Sequence, residues 1–494
     1  MYRQYSDSDS GIGISEDVDS ARASAVALGL DSSRKAAIKA KLLKKMISLA
    51  STESEEFEEP VNQPEPEPDR PGETSQELQT KEPETRPKLA PQISTESAPA
   101  PAKILRRRNS EDEIREYCEK NLERTLQKAF DIKLTLRDFD ISVFEKGPLY
   151  QTPVASVRLK WDSGARDLPP LNRVVVKLPA QSRSQQEEIT IRDKTELVAR
   201  NHDTECRVYR VLSSKFSKPI IPIPRMYDCV MSTEPGDNVI LMEDLSDRAT
   251  IPDFVVGLQI EQLHSIFDAL ADLHAYSITS FGFVQQFAPP DRERMRHLRS
   301  LATPIAAMCR RDYADLFPFR DSDFELCAKS EDLFSIIEIA DTTPVLVHGL
   351  LWTGNMLFER SATAPGNTGE KLVGLIDWQG AHYGLPAEDM TNVLCWSCHP
   401  YIRQRNGQHL LRRYYDRLAS KVQFVPFDIT DIENQFNRIM MVAALKALVQ
   451  IGLMITEGSL RESPQMIKRQ LLLRATLALA DAFKYRKLEL KRNK

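Results

Sequence analysis

Residues 345–358 read VLVHGLLWTGNMLF, and residues 372–380 read LVGLIDWQG. In the first, a short apolar run ends at His348-Gly349, where turn chemistry begins, and Trp352-Thr353-Gly354-Asn355 forms a loop before a second apolar run. The Gly- and Pro-bearing ATAPGNTGEK (362–371) separates that run from KLVGLID (371–377), so the pattern predicts a hairpin with Asp377 at its exit. An asparagine oxygen and a carboxylate at facing strand ends suit a hard cation such as Mg²⁺, which takes few protein ligands and completes its shell with water and phosphate.

Upstream, VASVRLKW (154–161) and RVVVKLP (173–179) alternate as strands on either side of the turn-rich DSGARDLPP. In the second, Val174 and Val176 face one way, and Val175 and Lys177 the other. Lys177 could thus reach phosphate, with Glu205, on a helix expected to begin at Thr204, as a plausible partner; taken alone, the ordinary reading of each is a surface charge. NVILMEDL (238–245) reads as another strand, and Glu113 to Phe130 as a helix. Beyond residue 250 helical spacing dominates, as in Leu263, Ile266, Phe267, Leu270 and Leu273. Strands and a helix first, then mostly helices, point to a two-lobed α+β body.

The expected division is a tail at 1–110, an N-terminal lobe at 111–247 and a helical C-terminal lobe at 248–494. The tail is rich in Ser, Glu and Pro and poor in large apolar residues, so it reads as disordered. Within it, residues 33–50 (SRKAAIKAKLLKKMISLA) form a basic amphipathic pattern suited to a membrane surface or a protein partner, with a transient helix of solvated face as the ordinary reading. Asp9-Ser10-Gly11 through Ser15 resembles a phosphodegron, and Ser110 follows Arg106-Arg107-Arg108-Asn109 as a basic-directed kinase prefers, although both patterns are short enough to arise by chance in a Ser- and Arg-bearing tail.

A net charge of -5 leaves no bulk attraction for nucleic acid, and none is expected as a partner. Seven scattered cysteines without a framework spacing fit a reducing compartment, and the N-terminus has no apolar signal-peptide core, so a cytoplasmic location is expected. The run 439–456 is apolar but broken by Lys446 and Gln450, and reads as a buried helix rather than a transmembrane span.

Taken in order, the strand Lys, helix Glu, MEDL strand, LHA helix end, HGxLWxxN loop and LIDWQ strand resemble the choline-kinase-like (CHK, ecdysteroid-kinase-like) family of the aminoglycoside phosphotransferase superfamily. The resemblance spans roughly residues 135–400 and is strongest at HGLLWTGNMLF and LIDWQGAHYGLPAEDM. It implies a protein-kinase-like fold, with a small β-rich lobe and a larger helical one, that moves the ATP γ-phosphoryl group to a hydroxyl of a small molecule. By position it implies that Lys177 contacts phosphates and Glu205 pairs with it. Met242, Glu243, Asp244 and Leu245 would line the adenine, Asn355 and Asp377 would hold Mg²⁺, His348 would support the loop, and Asp389 would tie the loops together.

Two positions depart from that pattern. The family's HGDLW has an aspartate where this chain has Leu350, which has no lone pair to accept a proton. Loss of a general base costs about 10² to 10⁴ in rate, or roughly 3 to 5.5 kcal/mol of barrier. The phosphate-covering turn is FEKGPLYQTPVAS, with Gly147 as its one glycine, which leaves fewer backbone N–H groups able to approach phosphate. The expectation is an impaired, pseudokinase-like protein; the alternatives are a low-turnover small-molecule kinase and a scaffold that binds no nucleotide. Glu388 and Asp389 are the nearest candidates in sequence to replace the base. Tyr401, Arg403 and Arg405 are candidates for a substrate cleft. Cys395-Trp396-Ser397-Cys398-His399 also matches a haem or redox pattern, against which stands the ordinary reading of half-buried helix cysteines.

Overall fold

The computed structural model describes residues 110–492 apart from 132–134, 145–151, 163–170, 180–190, 214–218, 232–237, 281, 321, 324–342, 362–367, 457 and 459. The tail island at 33–50, the Asp9–Ser15 motif, Arg106 to Asn109 and Gly147 lie outside these residues. Ser110 is the first residue of a helix.

The N-terminal lobe starts with α1 (Ser110–Tyr117), which runs through a π-type segment, Cys118–Leu122, into α2 (Glu123–Phe130). Five antiparallel strands follow: β1 (Leu136–Val143), β2 (Val154–Trp161), β3 (Arg173–Lys177), β4 (Met226–Val230) and β5 (Val239–Glu243), in the order β1-β2-β3-β5-β4. Between β3 and β4 runs α3 (Ile191–Leu212), which starts thirteen residues before the Thr204 expected from sequence. The strand period sorts the side chains: Val174 and Val176 pack with Ile114, Leu122 and Leu126 of α1/α2. Val175 packs on the opposite face with Cys206, Val208 and Tyr209 of α3. Lys177 shares that second face by the same alternation.

The C-terminal lobe comprises α4 (Ile260–Thr279), α5 (Arg292–Asp312), α6 (Glu388–Trp396), α7 (Pro400–Ala419), α8 (Ile429–Thr456) and α9 (Gln465–Arg492). Its three-stranded sheet joins β6 (Ala249–Thr250), β8 (Met356–Arg360) and β9 (Thr368–Leu375), the last two being the hairpin expected from sequence. The short strand β7 (Val345–Val347) pairs instead with β10 (His382–Gly384), a strand too brief for its pattern to show. This pairing draws the two halves of the motif together, with His382 opposite Val347.

Helix α8 is the one described helix long and apolar enough to cross a membrane, but 78% of its apolar window is buried within the protein. It packs on α6 and α9, and Ile305 of α5 approaches so close to Gly452 that a Cβ there would stand 2.4 Å from it. The architecture is α+β, a small antiparallel sheet with its helices followed by a larger helical lobe.

Candidate functional site

The lysine at the end of β3 meets two carboxylates from distant parts of the chain. Lys177 Nζ donates to Glu205 Oε2 and to Asp377 Oδ1, at 2.6 Å in each case. Lysine and glutamate are almost wholly buried, and Asp377 is mostly so. Burial alone would lower the Lys177 pKa, but Asp377 and Glu205 outweigh it and hold the ammonium above the usual lysine range. Burial would raise Asp377, but Lys177 outweighs it and keeps the carboxylate below its ordinary range. At Glu205 burial dominates and pushes the carboxyl up, with Lys177 pulling against it.

Asp377 reaches this position through a left-handed backbone, φ 66 and ψ 58, just past the end of β9. Aspartate tolerates that region better than most residues, and it turns the chain sharply into the 3₁₀ turn Trp378–Gly380. Gln379 Nε2 donates to the second carboxylate oxygen at 3.2 Å.

Asn355 closes the loop's own 3₁₀ turn, Thr353–Asn355, and is buried. Its Nδ2 donates to Leu350 O at 2.9 Å, while its Oδ1 has no hydrogen-bond partner. Ile376 N donates to Asn355 O at 3.1 Å, which sets Asn355 beside the residue that precedes Asp377. A buried amide oxygen left without a donor is costly. It is also what a hard cation needs, and together with the Asp377 carboxylate it forms a donor set that fits Mg²⁺. Among the described residues no cluster of three or more His, Cys, Asp and Glu side chains forms a closed metal cage.

His348 serves the loop as a strut. Leu350 N donates to its Nδ1 at 3.3 Å, which puts the ring proton on Nε2, and Nε2 donates to Ile376 O at 3.0 Å. The ring packs on Trp378 with centroids 4.4 Å apart, and burial pulls its pKa down to about 4. Asp389 holds the backbone from the other side: His348 N donates to Oδ2 at 2.6 Å and Gly349 N to Oδ1 at 3.0 Å. Burial, then the neighbouring Glu388, pushes the Asp389 carboxyl up to about 7 against the pull of the two N–H donors.

Leu350 itself is half-buried, and the two sequence candidates for its missing carboxylate are engaged elsewhere. Glu388 and Asp389 are both fully buried. Asp389 is committed to the loop backbone, and Glu388 accepts from His382 Nε2 at 3.0 Å and from Lys446 Nζ at 3.5 Å. The interruption of α8 by Lys446 thus has a buried partner, which the sequence pattern did not reveal.

The MEDL segment leaves β5 toward the C-terminal lobe. Met242 and Leu245 are buried. Glu243 accepts from Arg248 Nη2 at 2.8 Å and Arg225 N at 3.2 Å. Asp244 accepts from the Ser156 hydroxyl and from Ser246 N. The remaining sequence candidates fall elsewhere. Arg403 is buried and paired with Asp481 Oδ2 at 2.7 Å, so it fastens α7 to α9 rather than facing a cleft. Arg405 lies over the exposed Tyr401 ring, 4.5 Å from its centroid.

Cys395 and Cys398 are fully buried, not half-buried, and Cys398 lies beyond the end of α6. Burial pushes their thiols up to about 12 and about 11. His399 caps α7 by accepting from Tyr401 N at 3.2 Å, so the CxxCH stretch is packing and capping. Trp352 stacks on Trp396 with centroids 5.0 Å apart and rings 13° from parallel, which anchors the loop to the end of α6.

Residues 321–488 match the model of the DUF1679 family, described as "Uncharacterized oxidoreductase dhs-27". Over that span the chain is similar to the DUF1679 family. The DUF1679 region contains the loop from His348 to Asn355, Asp377, Asp389 and Lys446, while Lys177 and Glu205 precede it. No curated protein matches the chain. Among solved structures it is similar to an aminoglycoside phosphotransferase from Ralstonia eutropha described as putative, at 13% identity and a TM-score of 0.43, over 74% of this chain and 97% of that one. It is similar to choline kinase from Cryptosporidium parvum at 12% identity and a TM-score of 0.42, over 72% and 91%. A third likeness is aminoglycoside phosphotransferase APH(2'')-Ib, solved with ADP, at 14% identity and a TM-score of 0.36, over 72% and 98%.

Proposed function

We propose that this protein binds an adenine nucleotide with Mg²⁺ around Lys177 and is impaired in phosphoryl transfer to a small-molecule hydroxyl. The observation that carries the reading is the buried Lys177, bonded to Glu205 and to Asp377, beside the unpartnered Asn355 Oδ1. An ammonium has three N–H donors, and Lys177 uses two of them on carboxylates, so the third is left for a phosphate oxygen. With both carboxylates ionised the group carries one excess negative charge, which suits a divalent cation.

Asn355 Oδ1 and Asp377 would hold Mg²⁺, and the bound ion would supply neutralisation of phosphate charge. The MEDL segment would border the adenine, and His348 with Asp389 would keep the loop backbone in place. Leu350 can accept no proton from an attacking hydroxyl, and the nearby carboxylates of Glu388 and Asp389 are buried and engaged. Acid-base assistance is therefore missing while the positioning groups remain. That retained set also favours a second reading, slow turnover rather than none, because phosphoryl transfer depends heavily on positioning and charge. Six described cysteines, buried as free thiols, fit the cytoplasm as the site of action.

A thermal-shift titration with ATP, with and without MgCl₂, tests the reading. Stabilisation by ATP that grows with Mg²⁺ is expected. No shift at millimolar ATP would remove both nucleotide readings and leave a scaffold that binds no nucleotide.

A further inference from the structure

Behind the loop lies a buried cluster of charges that the nucleotide site does not use. His382 Nδ1 donates to Gly380 O at 2.8 Å and Nε2 to Glu388 Oε2 at 3.0 Å, so both ring nitrogens carry protons and the ring is a cation. Glu388 accepts from His382 through one oxygen and from Lys446 of α8 through the other. The ring lies directly under the loop: a Cβ built on Gly349, whose φ is +77°, would stand 2.9 Å from His382 ring atoms and 2.2 Å from Gly380 O. Beside the cluster, Asp389 grips the N–H groups of His348 and Gly349. With Asp389 ionised, His382, Glu388, Lys446 and Asp389 sum to zero charge, so no net charge is left in the cluster.

We propose that His382, Glu388 and Lys446 are positioning residues: a buried cation–anion–cation chain from α8 that sets the charge state of Asp389 and through it the grip on the His348-Gly349 backbone. The proposal takes residues 348–355 as the nucleotide-site loop, which is the reading given above. The charged and titratable groups facing Asp389 are Glu388 on its own helix, His382 on β10, Lys446 on α8 through Glu388, and the neutral His348 ring on the loop.

The direction of coupling follows from linkage. The two backbone N–H donors favour ionised Asp389, so ionised Asp389 favours the held loop for as long as the side chain stays buried on α6. Protonation near pH 7 leaves one of the two N–H groups facing a poorer acceptor, and the grip slackens as pH falls. Removing the Lys446 cation makes the surroundings more negative and moves this transition to higher pH. Removing Glu388 takes away the charge that pushes Asp389 up and moves the transition to lower pH, since the cation lost if His382 then deprotonates is the smaller influence.

The test is hydrogen–deuterium exchange of a peptide spanning the loop amides in the full chain, corrected for intrinsic rates, across pH 5 to 9. Lys446→Met should raise the midpoint of loop protection by about half a unit or more, and Glu388→Gln should lower it by a similar amount. Lys446→Arg, which keeps the charge, should leave it near the wild-type value. If Lys446→Met does not fold, Glu388→Gln with Lys446→Met, which leaves no unpaired charge, should give a midpoint below wild type. Shifts of the same sign in both single variants, or a loss of protection that does not depend on pH, would overturn the proposal, because simple packing damage does that. The readout needs no nucleotide, so it fails or succeeds independently of the ATP titration.

Discussion

Lys177 Nζ stands 2.6 Å from Asp377 Oδ1 although 200 residues separate them, and the same ammonium is bonded to Glu205. One lysine therefore ties the end of β3, the middle of α3 and the exit of the β8–β9 hairpin together. Truncation by Lys177→Met would leave two buried carboxylates without a cation. Breaking a buried pair in this way costs about 3–5 kcal/mol. Urea unfolding should show that loss, and Lys177→Met with Asp377→Asn should recover part of it. A single variant as stable as wild type would show that the pair is not formed.

His348 should stay neutral throughout ordinary conditions, because burial pulls its pKa down to about 4 and its Nδ1 accepts from the loop backbone. Imidazole nitrogen chemical shifts followed from pH 5 to 8 are expected to remain those of an Nε2-protonated ring. A titration of this ring within that window would contradict its role as a strut.

Asp389 gives a pH dependence of global stability with a definite sign. Its folded pKa, about 7, lies above the ordinary value of 3.8 for an unfolded chain. Between those values the folded protein binds more protons, so this group's contribution is largest below the unfolded value and falls as pH rises toward 7. The change is on the order of a few kcal/mol for one buried group. Asp389→Asn should flatten the stability curve between about pH 4 and 7 relative to wild type. Parallel curves for the two proteins would mean that Asp389 is not held in this environment.

Gly349 sits at φ +77° with Gly380 O and the His382 ring where a Cβ would be. Gly349→Ala should destabilise by about 1–2 kcal/mol from the left-handed backbone, and further from the contact with Gly380 O. Chemical denaturation should show a lower midpoint with an unchanged slope. A neutral substitution would mean that the turn relaxes freely.

The parts of this site that sequence made legible were those governed by a short period. Alternation in RVVVK put Val174 and Val176 on one face and Lys177 on the other, and the turn-rich 362–371 stretch fixed the hairpin that delivers Asp377. The pairing of β7 with β10 was not legible, because three residues are too few for a pattern and their partner lies 35 positions away. Lys446 read as a break in an apolar helix, since periodicity shows that a charge is present but not that a buried carboxylate waits for it. The place of Arg403 was not legible for the same reason: its partner, Asp481, lies on another helix. The start of α3 at Ile191 was not legible because helices carry polar residues on their outer turns as readily as loops do.

The central claim is that the Lys177, Glu205, Asn355 and Asp377 set is retained while Leu350 leaves the loop without its base. The most direct measurement compares wild type with Leu350→Asp for Mg²⁺-dependent release of ADP from ATP, with water and a panel of small-molecule alcohols as acceptors. The account predicts a slow or undetectable wild type and a gain of about 10² or more in the variant. Wild-type turnover in the ordinary kinase range of about 1–100 s⁻¹, or a variant that gains nothing while still binding ATP, would contradict it.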